Sequence, residues 1–467
     1  MRDYSKICIS THKYSKSSLA SSYVNDVRLS PGPKLLNYFE SSPSSAATAD
    51  LVAVPIASGA AAISLPNGLQ VIHQEMATPA VVVDVWVNAG AGKEPAEWAG
   101  MAHFLEHMVF KGTQRLKPGE FDWAIESQGG MTNASTSHDY AHFYITVAAE
   151  ALPQTLPYLA DLLLCAAIPA DEFVRERQVV LEEIRRAYDD PDWVGYQVLC
   201  ELLYGEHAYG RAVLGTPEIL SARSPEEMRR FHQAHYQPEN MKVVIAGGVS
   251  QQKAIELVEQ SFNRFASPIW CPEAKEKPLP QAVHQRRVMT LPNMEQSRLT
   301  MAWLGPGIDD LPRACALDLV SVLLGGGHTS RLVRELREER QLVQDVSSSF
   351  TLQAACSVLS LSIWLEEEDV ETVEALVCDR IQDLAQSPVT SAELARAKRL
   401  LLADYAFSTE TPGQIAGLYG YYATIAEPSL ALTYPEQLQA TTVDNIQQIA
   451  QDYLSTERYT AVVLNPA

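Results

Sequence analysis

Hydrophobic residues along the chain change their spacing at intervals, and from about residue 60 these changes mark a succession of strands and helices. The stretch ISLPNGLQVIHQE predicts two short strands around a Pro-Asn-Gly turn, and AVVVDVWVNAG predicts a buried strand rich in β-branched residues. Helical spacing follows in AEWAGMAHFLEHMVFKG and in GEFDWAIESQGG, which ends at paired glycines. A strand pair is predicted for MTNASTSHDYAHFYITVAAE. The pattern therefore indicates a packed domain that contains both helices and strands.

The second half of the chain repeats this order of elements. Its opening strands contain a second Leu-Pro-Asn and again a tryptophan near a strand end. Four matching segments in one order predict a tandem repeat of about 200 residues. The repeated segments are VMTLPNMEQSRLTMAWLGPG, RACALDLVSVLLGG, SAELARAKRLLLADYAF and VDNIQQIAQDYLSTERYTAVVLNP.

The segment SPIWCPEAKEKPLPQAVHQRR lies between the repeats, and its prolines and mixed charges are typical of a stiffened linker. We predict a disordered or leader segment at 1–55, an N-terminal domain at 56–266, a linker at 267–285 and a C-terminal domain at 286–467. The segregation of helices and strands predicts an α+β fold of two tandem similar domains. In each domain, helices are expected to pack on a mostly antiparallel sheet.

Composition restricts the classes of function. The chain has 467 residues, of which 46% are hydrophobic and 20% charged, as is ordinary for a globular protein with a substantial core. Its net charge of −21 gives no electrostatic support for nucleic-acid binding. The seven cysteines lack CxxC spacing, which argues against a disulfide framework and against a zinc site of paired cysteines. No apolar run approaches the length of a membrane span.

The first 50 residues differ from the rest, with twelve serines, six Lys or Arg and four Asp or Glu. They lack the apolar stretch of a secretory signal. Two interpretations stay open, a disordered extension and a transit-like leader. The cysteine pattern and the missing signal predict a cytoplasmic location, with an organelle or export as the alternative.

The stretch HFLEH, residues 103–107, places two histidines and a glutamate in one predicted helix. Residues i and i+4 of a helix share a face, with Cβ atoms about 5–6 Å apart, so His103 and His107 can present two nitrogens to one ion. Glu106 lies beside that face, where a general base for a metal-activated water belongs. A histidine zinc site normally has a third protein ligand. Alone, however, the motif fits a solvated polar helix face equally well.

The context of this motif resembles the pitrilysin family of metallopeptidases, in particular the branch that contains mitochondrial processing peptidase and its bacterial relatives. The resemblance is carried by GMAHFLEHMVFKGT, GGMTNASTSHDYAHFYI and RERQVVLEEIRR, and it extends over nearly the whole chain after residue 60. His-x-x-Glu-His is also the inverzincin signature. The resemblance implies a zinc metalloendopeptidase with one bound zinc ion held by His103 and His107.

The resemblance also implies the other residues of the site. In that family a glutamate about 76 residues beyond the second histidine completes the zinc site, and this position is Glu183 (183 − 107 = 76). The neighbouring Glu182 points about 100° away around the helix axis and cannot replace it. Glu176 matches a glutamate that supports catalysis, with a plain charged-helix role as the alternative. In the implied mechanism, zinc activates a water, and Glu106 accepts its proton and passes it to the leaving amine.

Substrate-binding residues follow from the same resemblance. Family members bind an extended peptide as an added strand, and the matching backbone positions are Asn133 and Ala134. In related enzymes an arginine and a tyrosine of the second domain assist substrate binding and the developing oxyanion. Arg337 matches the arginine, but the tyrosine position holds Gln344. The second domain reads VSVLLGG where the first reads HFLEH, so the zinc residues belong to one half only.

The leading hypothesis is therefore a zinc endopeptidase that acts on unfolded peptides or presequence-like segments. Single-repeat members of this branch act as dimers. Because Gln344 replaces the tyrosine, we expect a heterodimer with a paralogue that supplies the arginine-tyrosine pair, with a homodimer as the alternative. The alternative function is a non-catalytic structural or peptide-binding subunit of a larger complex.

Overall fold

A computed structural model describes residues 53–57, 60–275, 277–281, 283–292 and 294–467. The first sheet has seven strands in the spatial order β1-β2-β3-β7-β4-β6-β5. All neighbours in it are antiparallel except β3 and β7, which are parallel. Its strands are β1 (Ala53–Ala57), β2 (Ala60–Ser64), β3 (Gln70–Glu75), β4 (Ala80–Val87), β5 (Met131–Thr136), β6 (Ala141–Ala148) and β7 (Met241–Gly247).

The second sheet repeats the topology of the first. Its five strands are β8 (Gln285–Leu291), β9 (Ser297–Gly305), β10 (Val343–Leu352), β11 (Ser357–Leu365) and β12 (Thr460–Pro466). Their order β8-β12-β9-β11-β10 corresponds strand by strand to β3-β7-β4-β6-β5. β8 and β12 are parallel neighbours, as β3 and β7 are in the first sheet, and the other pairs are antiparallel. The predicted tandem α+β repeat with mostly antiparallel sheets is thus confirmed.

Helices cover both sheets. The first half contains α1 (Met101–Val109), α2 (Glu120–Glu126), α3 (Leu152–Leu164), α4 (Ala170–Tyr188), α5 (Pro191–Tyr204), α6 (Pro217–Ser221), α7 (Pro225–His235) and α8 (Gln251–Ser261). The second half contains α9 (Leu311–Gly325), a π-helical turn (Val333–Glu339), α10 (Val370–Gln386), α11 (Ser391–Phe407), α12 (Pro412–Ile425), α13 (Leu430–Ala440) and α14 (Val443–Tyr453). The matched helices α7 and α14 both begin with a capping box, at Ser224 and Thr442, which satisfies the first backbone amides of each helix.

Each half contributes one helix to the sheet of the other half. Helix α5 packs on β9 and β12 of the second sheet, where Gly195 lies against Leu464. Helix α12 packs on β3, β4 and β7 of the first sheet, where Gly420 lies against the indole of Trp86. The two halves therefore share their buried cores.

This exchange of helices accounts for the mostly apolar sequence of β4, in which Asp84 is the one polar residue. Val83 and Val85 belong to the core beneath the first half's own helices. Val82 and Trp86 point the other way and belong to the core that contains α12. A strand that is covered on both faces favours apolar residues throughout, whereas a strand with one solvent-exposed face alternates apolar and polar residues.

The predicted division of the chain stays a prediction. Residues 1–52 lie outside the described residues, and β1 begins at Ala53, inside the predicted 1–55 segment. The described residues between Ser261 and Gln285 contain neither helix nor strand, and the linker was predicted there. Within the described part, none of the helices has the length and apolar character needed to cross a membrane.

Replacement of Gly420 by alanine tests the exchange of helices. A Cβ at this position would overlap the Trp86 indole, so we expect Gly420→Ala to lower the free energy of unfolding by about 1–3 kcal/mol. Gly417 in the same helix has open space around its Cβ position, so Gly417→Ala is expected to be neutral or to stabilise the helix by up to about 1 kcal/mol. Urea denaturation measures both. Equal stability of the two variants would contradict the packing.

Candidate metal centre

Helix α1 carries the HFLEH stretch and is held by its N-terminus and its apolar face. Gly100 precedes the helix with φ +91°, and a Cβ there would lie 2.7 Å from the carbonyl oxygen of Leu214. This position therefore requires glycine. Phe104 is fully buried in the first-half core. With that face fixed, His103 and His107 lie on one side of the helix, their ring centroids 4.9 Å apart.

Helix α4 packs against α1 and brings carboxylates to the histidines. Its buried residues Phe173, Glu176, Val180 and Ile184 are spaced as one helix face. The Phe173 ring lies 4.6 Å from that of Phe104 on α1, centroid to centroid. Glu176 and Glu183, two turns apart, therefore both project toward α1.

Three side chains converge at this contact. Oε2 of Glu183 lies 3.8 Å from Nε2 of His103 and 3.5 Å from Nε2 of His107. The ligand atoms of these three residues all lie within 4.8 Å of one another, close enough to hold one metal ion. Tetrahedral zinc with ligand bonds of about 2.1 Å separates its ligand atoms by roughly 3.4 Å. Two imidazoles and one carboxylate also match the ligand types of catalytic zinc sites, so the residues fit zinc.

Glu176 bridges His107 and a lysine. Its Oε1 lies 3.0 Å from Nδ1 of His107, and its Oε2 lies 2.6 Å from Nζ of Lys111. Burial opposes ionisation of Glu176, but His107 and Lys111 together hold its pKa below the usual value. An ionised Glu176 must accept the hydrogen bond from Nδ1–H, so in the neutral form of His107 the lone pair lies on Nε2, facing Glu183. Burial alone would lower the pKa of His107, but the surrounding carboxylates raise it to about 9.

Glu182 lies apart from this cluster, as its position in the helix predicts. Its side chain is 45% exposed and pairs with Arg185 and Arg186, whereas the Glu183 side chain is 15% exposed. The difference follows from the rotation of about 100° per residue in a helix. Adjacent glutamates of α4 therefore have different environments.

Glu106 and the predicted substrate strand are joined by a hydrogen bond. Thr136, the last residue of β5, donates its hydroxyl proton to Oε2 of Glu106 at 2.6 Å. β5 is the last strand of its sheet, and Asn133 and Ala134 lie in its middle. The side chain of Asn133 is turned to its own strand and accepts a hydrogen bond from the amide of Ala134. An edge strand offers backbone groups to a further strand, and here the amide of Ala134 already donates to the Asn133 side chain.

Arg337 lies in the second half, in the π-helical turn. Its guanidinium donates to Glu338, to Asp345 and to His328. Gln344 is exposed on β10 beside Asp345. The contacts of Arg337 within the described part of the chain stay in its own half, so the structure does not join it to the histidine–glutamate cluster.

A buried glutamate that the sequence did not single out caps α1. Both carboxylate oxygens of Glu94 accept backbone hydrogen bonds, from Gly100 at 2.9 Å and from Ala102 at 2.6 Å. Arg211 donates to the backbone carbonyl of Glu94 at 3.0 Å. A carboxylate at a helix N-terminus is electrostatically favourable. The sequence signal, a glutamate shortly before a helix whose N-cap is glycine, is weak because Glu94 acts from six residues away.

Comparison with known proteins identifies the family. Residues 70–217 match the family model described as Insulinase (Peptidase family M16), and residues 223–401 match the Peptidase M16 inactive domain. An uncharacterized zinc protease of Mycobacterium tuberculosis is 31% identical over 412 residues, covering 86% of this chain and 92% of that protein. Zinc protease PqqE of Helicobacter pylori is 29% identical, with the same coverage. The chain belongs to the M16 peptidase family, the pitrilysin family, as its sequence indicated.

Solved structures agree with this assignment. The crystal structure of a protease from Helicobacter pylori superposes with a TM-score of 0.81 at 27% identity, covering 87% of this chain and 99% of that chain. A structure from Pseudomonas fluorescens described as a peptidase M16 inactive domain gives a TM-score of 0.78 at 23% identity, covering 87% and 98%. At that identity, the second similarity supports the fold alone.

The burial of Glu94 predicts a pH dependence of stability, because the backbone hydrogen bonds from Gly100 and Ala102 lower its pKa by less than burial raises it. Burial raises the pKa of Glu94 from its ordinary value of 4.5 to about 8. Between these values the folded chain keeps the proton and the unfolded chain releases it, so the Glu94 contribution to stability falls as pH rises from about 5 to 8. Glu94→Gln cannot titrate. The stability of the wild type relative to Glu94→Gln should therefore fall over this range, measured by urea denaturation in chelator. A pH-independent difference would contradict the assignment.

Proposed function

We propose that the chain is a zinc metalloendopeptidase that cleaves unfolded peptides or presequence-like segments. The observation that carries the proposal is the convergence of His103, His107 and Glu183. Glu106 lies on the same helix as the two histidines. These three residues would hold one zinc ion. When bound, zinc supplies Lewis acidity, which lowers the pKa of a water and polarises a peptide carbonyl.

The protein's own residues would perform the remaining steps. Glu106 accepts a proton from the attacking water and delivers it to the leaving amine as the peptide bond breaks. Glu176 accepts the hydrogen bond from Nδ1 of His107 and thereby keeps Nε2 available as a ligand atom. Lys111 balances the charge of Glu176 on its other side.

The peptide would bind as an extended strand beside β5. The edge position of β5 supports this proposal, since the backbone of Asn133 and Ala134 can pair with a further strand once the Ala134 amide exchanges the Asn133 side chain for the peptide. Backbone pairing is insensitive to side chains, which suits unfolded substrates of varied sequence. Arg337 would assist from the second domain, although its present partners are Asp345, Glu338 and His328.

A dimer would complete the active site. The tyrosine position occupied by Gln344 supports a heterodimer with a paralogue that supplies the arginine-tyrosine pair, and a homodimer is the alternative. The match of the second half to an inactive domain supports the proposal that only the first half binds zinc. A non-catalytic structural or peptide-binding subunit is the competing function, although a subunit without catalysis would have no use for Glu106.

Adjacent glutamates of α4 provide a matched test of metal binding. We expect Glu183→Gln to weaken zinc binding by about 100-fold or more, since a ligand is lost outright, whereas loss of an outer partner costs about 10–100-fold. Glu182→Gln removes the same charge from the neighbouring, exposed position and should leave zinc affinity unchanged. Competition with a chromophoric chelator measures both affinities. Equal losses in the two variants would exclude Glu183 as a ligand.

Cleavage of an unstructured peptide tests the activity. The full chain should cleave it only with zinc, lose activity in chelator and recover it when zinc is restored. Glu106→Gln should lower kcat by about 10²–10⁴-fold while zinc affinity is retained, because the variant removes the base and not a ligand.

Chelator-insensitive cleavage, or full activity of Glu106→Gln, would exclude the proposed mechanism. Full activity of the chain alone would exclude the need for a paralogue. No zinc-dependent cleavage, either alone or with a paralogue, would instead favour the non-catalytic subunit.

A further inference from the structure

The hydroxyl of Thr136, at the end of β5, donates a hydrogen bond to the carboxylate of Glu106 on α1. The two heavy atoms are 2.6 Å apart, and Thr136 is buried. Hydrogen bonds that involve a charged group are short and about twice as strong as neutral ones. This contact is therefore the strongest restraint described for the Glu106 carboxylate.

A restraint on this carboxylate matters because a glutamate side chain has several rotamers. Glu106 is only half-buried, and the helix backbone fixes its Cβ but not its carboxylate. A proton acceptor must lie within hydrogen-bond reach of its donor, and a displacement of about 1 Å can cost 10²-fold in rate. The Thr136 hydroxyl holds one carboxylate oxygen, Oε2, and leaves Oε1 for the proton.

Thr136 is itself held in place. It pairs with Ala141 in β6, and the next amide, of Ser137, donates to the carbonyl of Tyr140 at 2.7 Å. In the same turn, Asp139 accepts a hydrogen bond from the Tyr209 hydroxyl. These contacts make the end of β5 a rigid support for the Glu106 side chain.

The side chain of Thr136 lies on the face of β5 that packs against α1. Successive strand residues point to opposite faces, so Thr136 and Ala134 point to the same face, on which α1 packs. Ala134 packs against the first-half core that contains α1. The strand proposed to pair with substrate and the support of the general base are therefore one element.

We propose that Thr136 is a positioning residue, which fixes the carboxylate of Glu106 for proton transfer and links its orientation to the strand that receives the peptide. The inference rests on the proposed function, because Glu106 acts as a general base only if the chain cleaves peptides. A second prediction of the geometry is that the hydroxyl matters and the methyl group does not.

Paired substitutions separate the hydroxyl from the shape of the side chain. Thr136→Val keeps the β-branched shape and removes the donor, and Thr136→Ser keeps the donor. With zinc-loaded full chain and an unstructured peptide, we expect Thr136→Val to lower kcat by about 10- to 100-fold with little change in KM. Thr136→Ser should restore most of the lost kcat. Zinc affinity should be the same in all three proteins, since Thr136 touches no proposed ligand.

A buried threonine elsewhere in the same half is the matched control. Thr155 on α3 is 1% exposed, and its hydroxyl donates to the carbonyl of Ala151. Thr155→Val removes an equivalent buried hydroxyl and should leave kcat unchanged. If Thr136→Val keeps the kcat of an active wild type, or if Thr136→Ser is as impaired as Thr136→Val, the positioning role is wrong.

A readout without catalysis distinguishes failure of this inference from failure of the proposed function. In metal-free protein, Thr136→Val, Glu106→Leu and the double variant form a thermodynamic cycle. The contact predicts that the Tm shift of the double variant is smaller than the sum of the single shifts. Additive shifts would overturn the contact itself. Non-additive shifts in a wild type that cleaves no peptide, either alone or with a paralogue, would overturn the proposed function and the role of Glu106 as a base, but not the contact.

Discussion

The packing of α1 against α4 is the contact on which the site depends. Phe104 and Phe173 lie ring to ring in the buried part of this contact, and the polar residues of both helices meet at its margin. His103 and His107 come from one helix, and Glu176 and Glu183 from the other. Because the apolar faces fix the rotation of each helix, they also fix which carboxylate faces the histidines. The chemistry is therefore set by hydrophobic packing.

The exchange of α5 and α12 makes the two halves one folding unit around this contact. Trp86 on β4 is covered by a helix of the second half, and Leu464 on β12 by a helix of the first. Helix α12 covers β3, β4 and β7 on the face opposite α1. The same sheet meets the site at the end of β5, where Thr136 donates to Glu106. A site built on packed elements is more precise than one built on free loops.

The two halves have the same topology and different chemistry. The strand order of the second sheet repeats that of the first, but α9 is buried and mostly apolar where α1 carries histidines. A duplicated fold can keep its packing while one copy loses its polar residues, because the core depends on shape and apolar area rather than on particular side chains. The second half retains a structural role as the support of the first sheet through α12.

The sequence by itself determined the repeat, the presence of both helices and strands in each half and the membership of the family, because periodicity and the His-x-x-Glu-His stretch are local signals. The family resemblance selected Glu183 rather than Glu182, and rotation along a helix gives these neighbours different environments. The tertiary structure alone decided that α5 and α12 cross between the halves, that Glu94 caps α1 and that Thr136 contacts Glu106. These contacts join residues whose proximity depends on how whole elements pack, and no spacing rule along the chain encodes such packing.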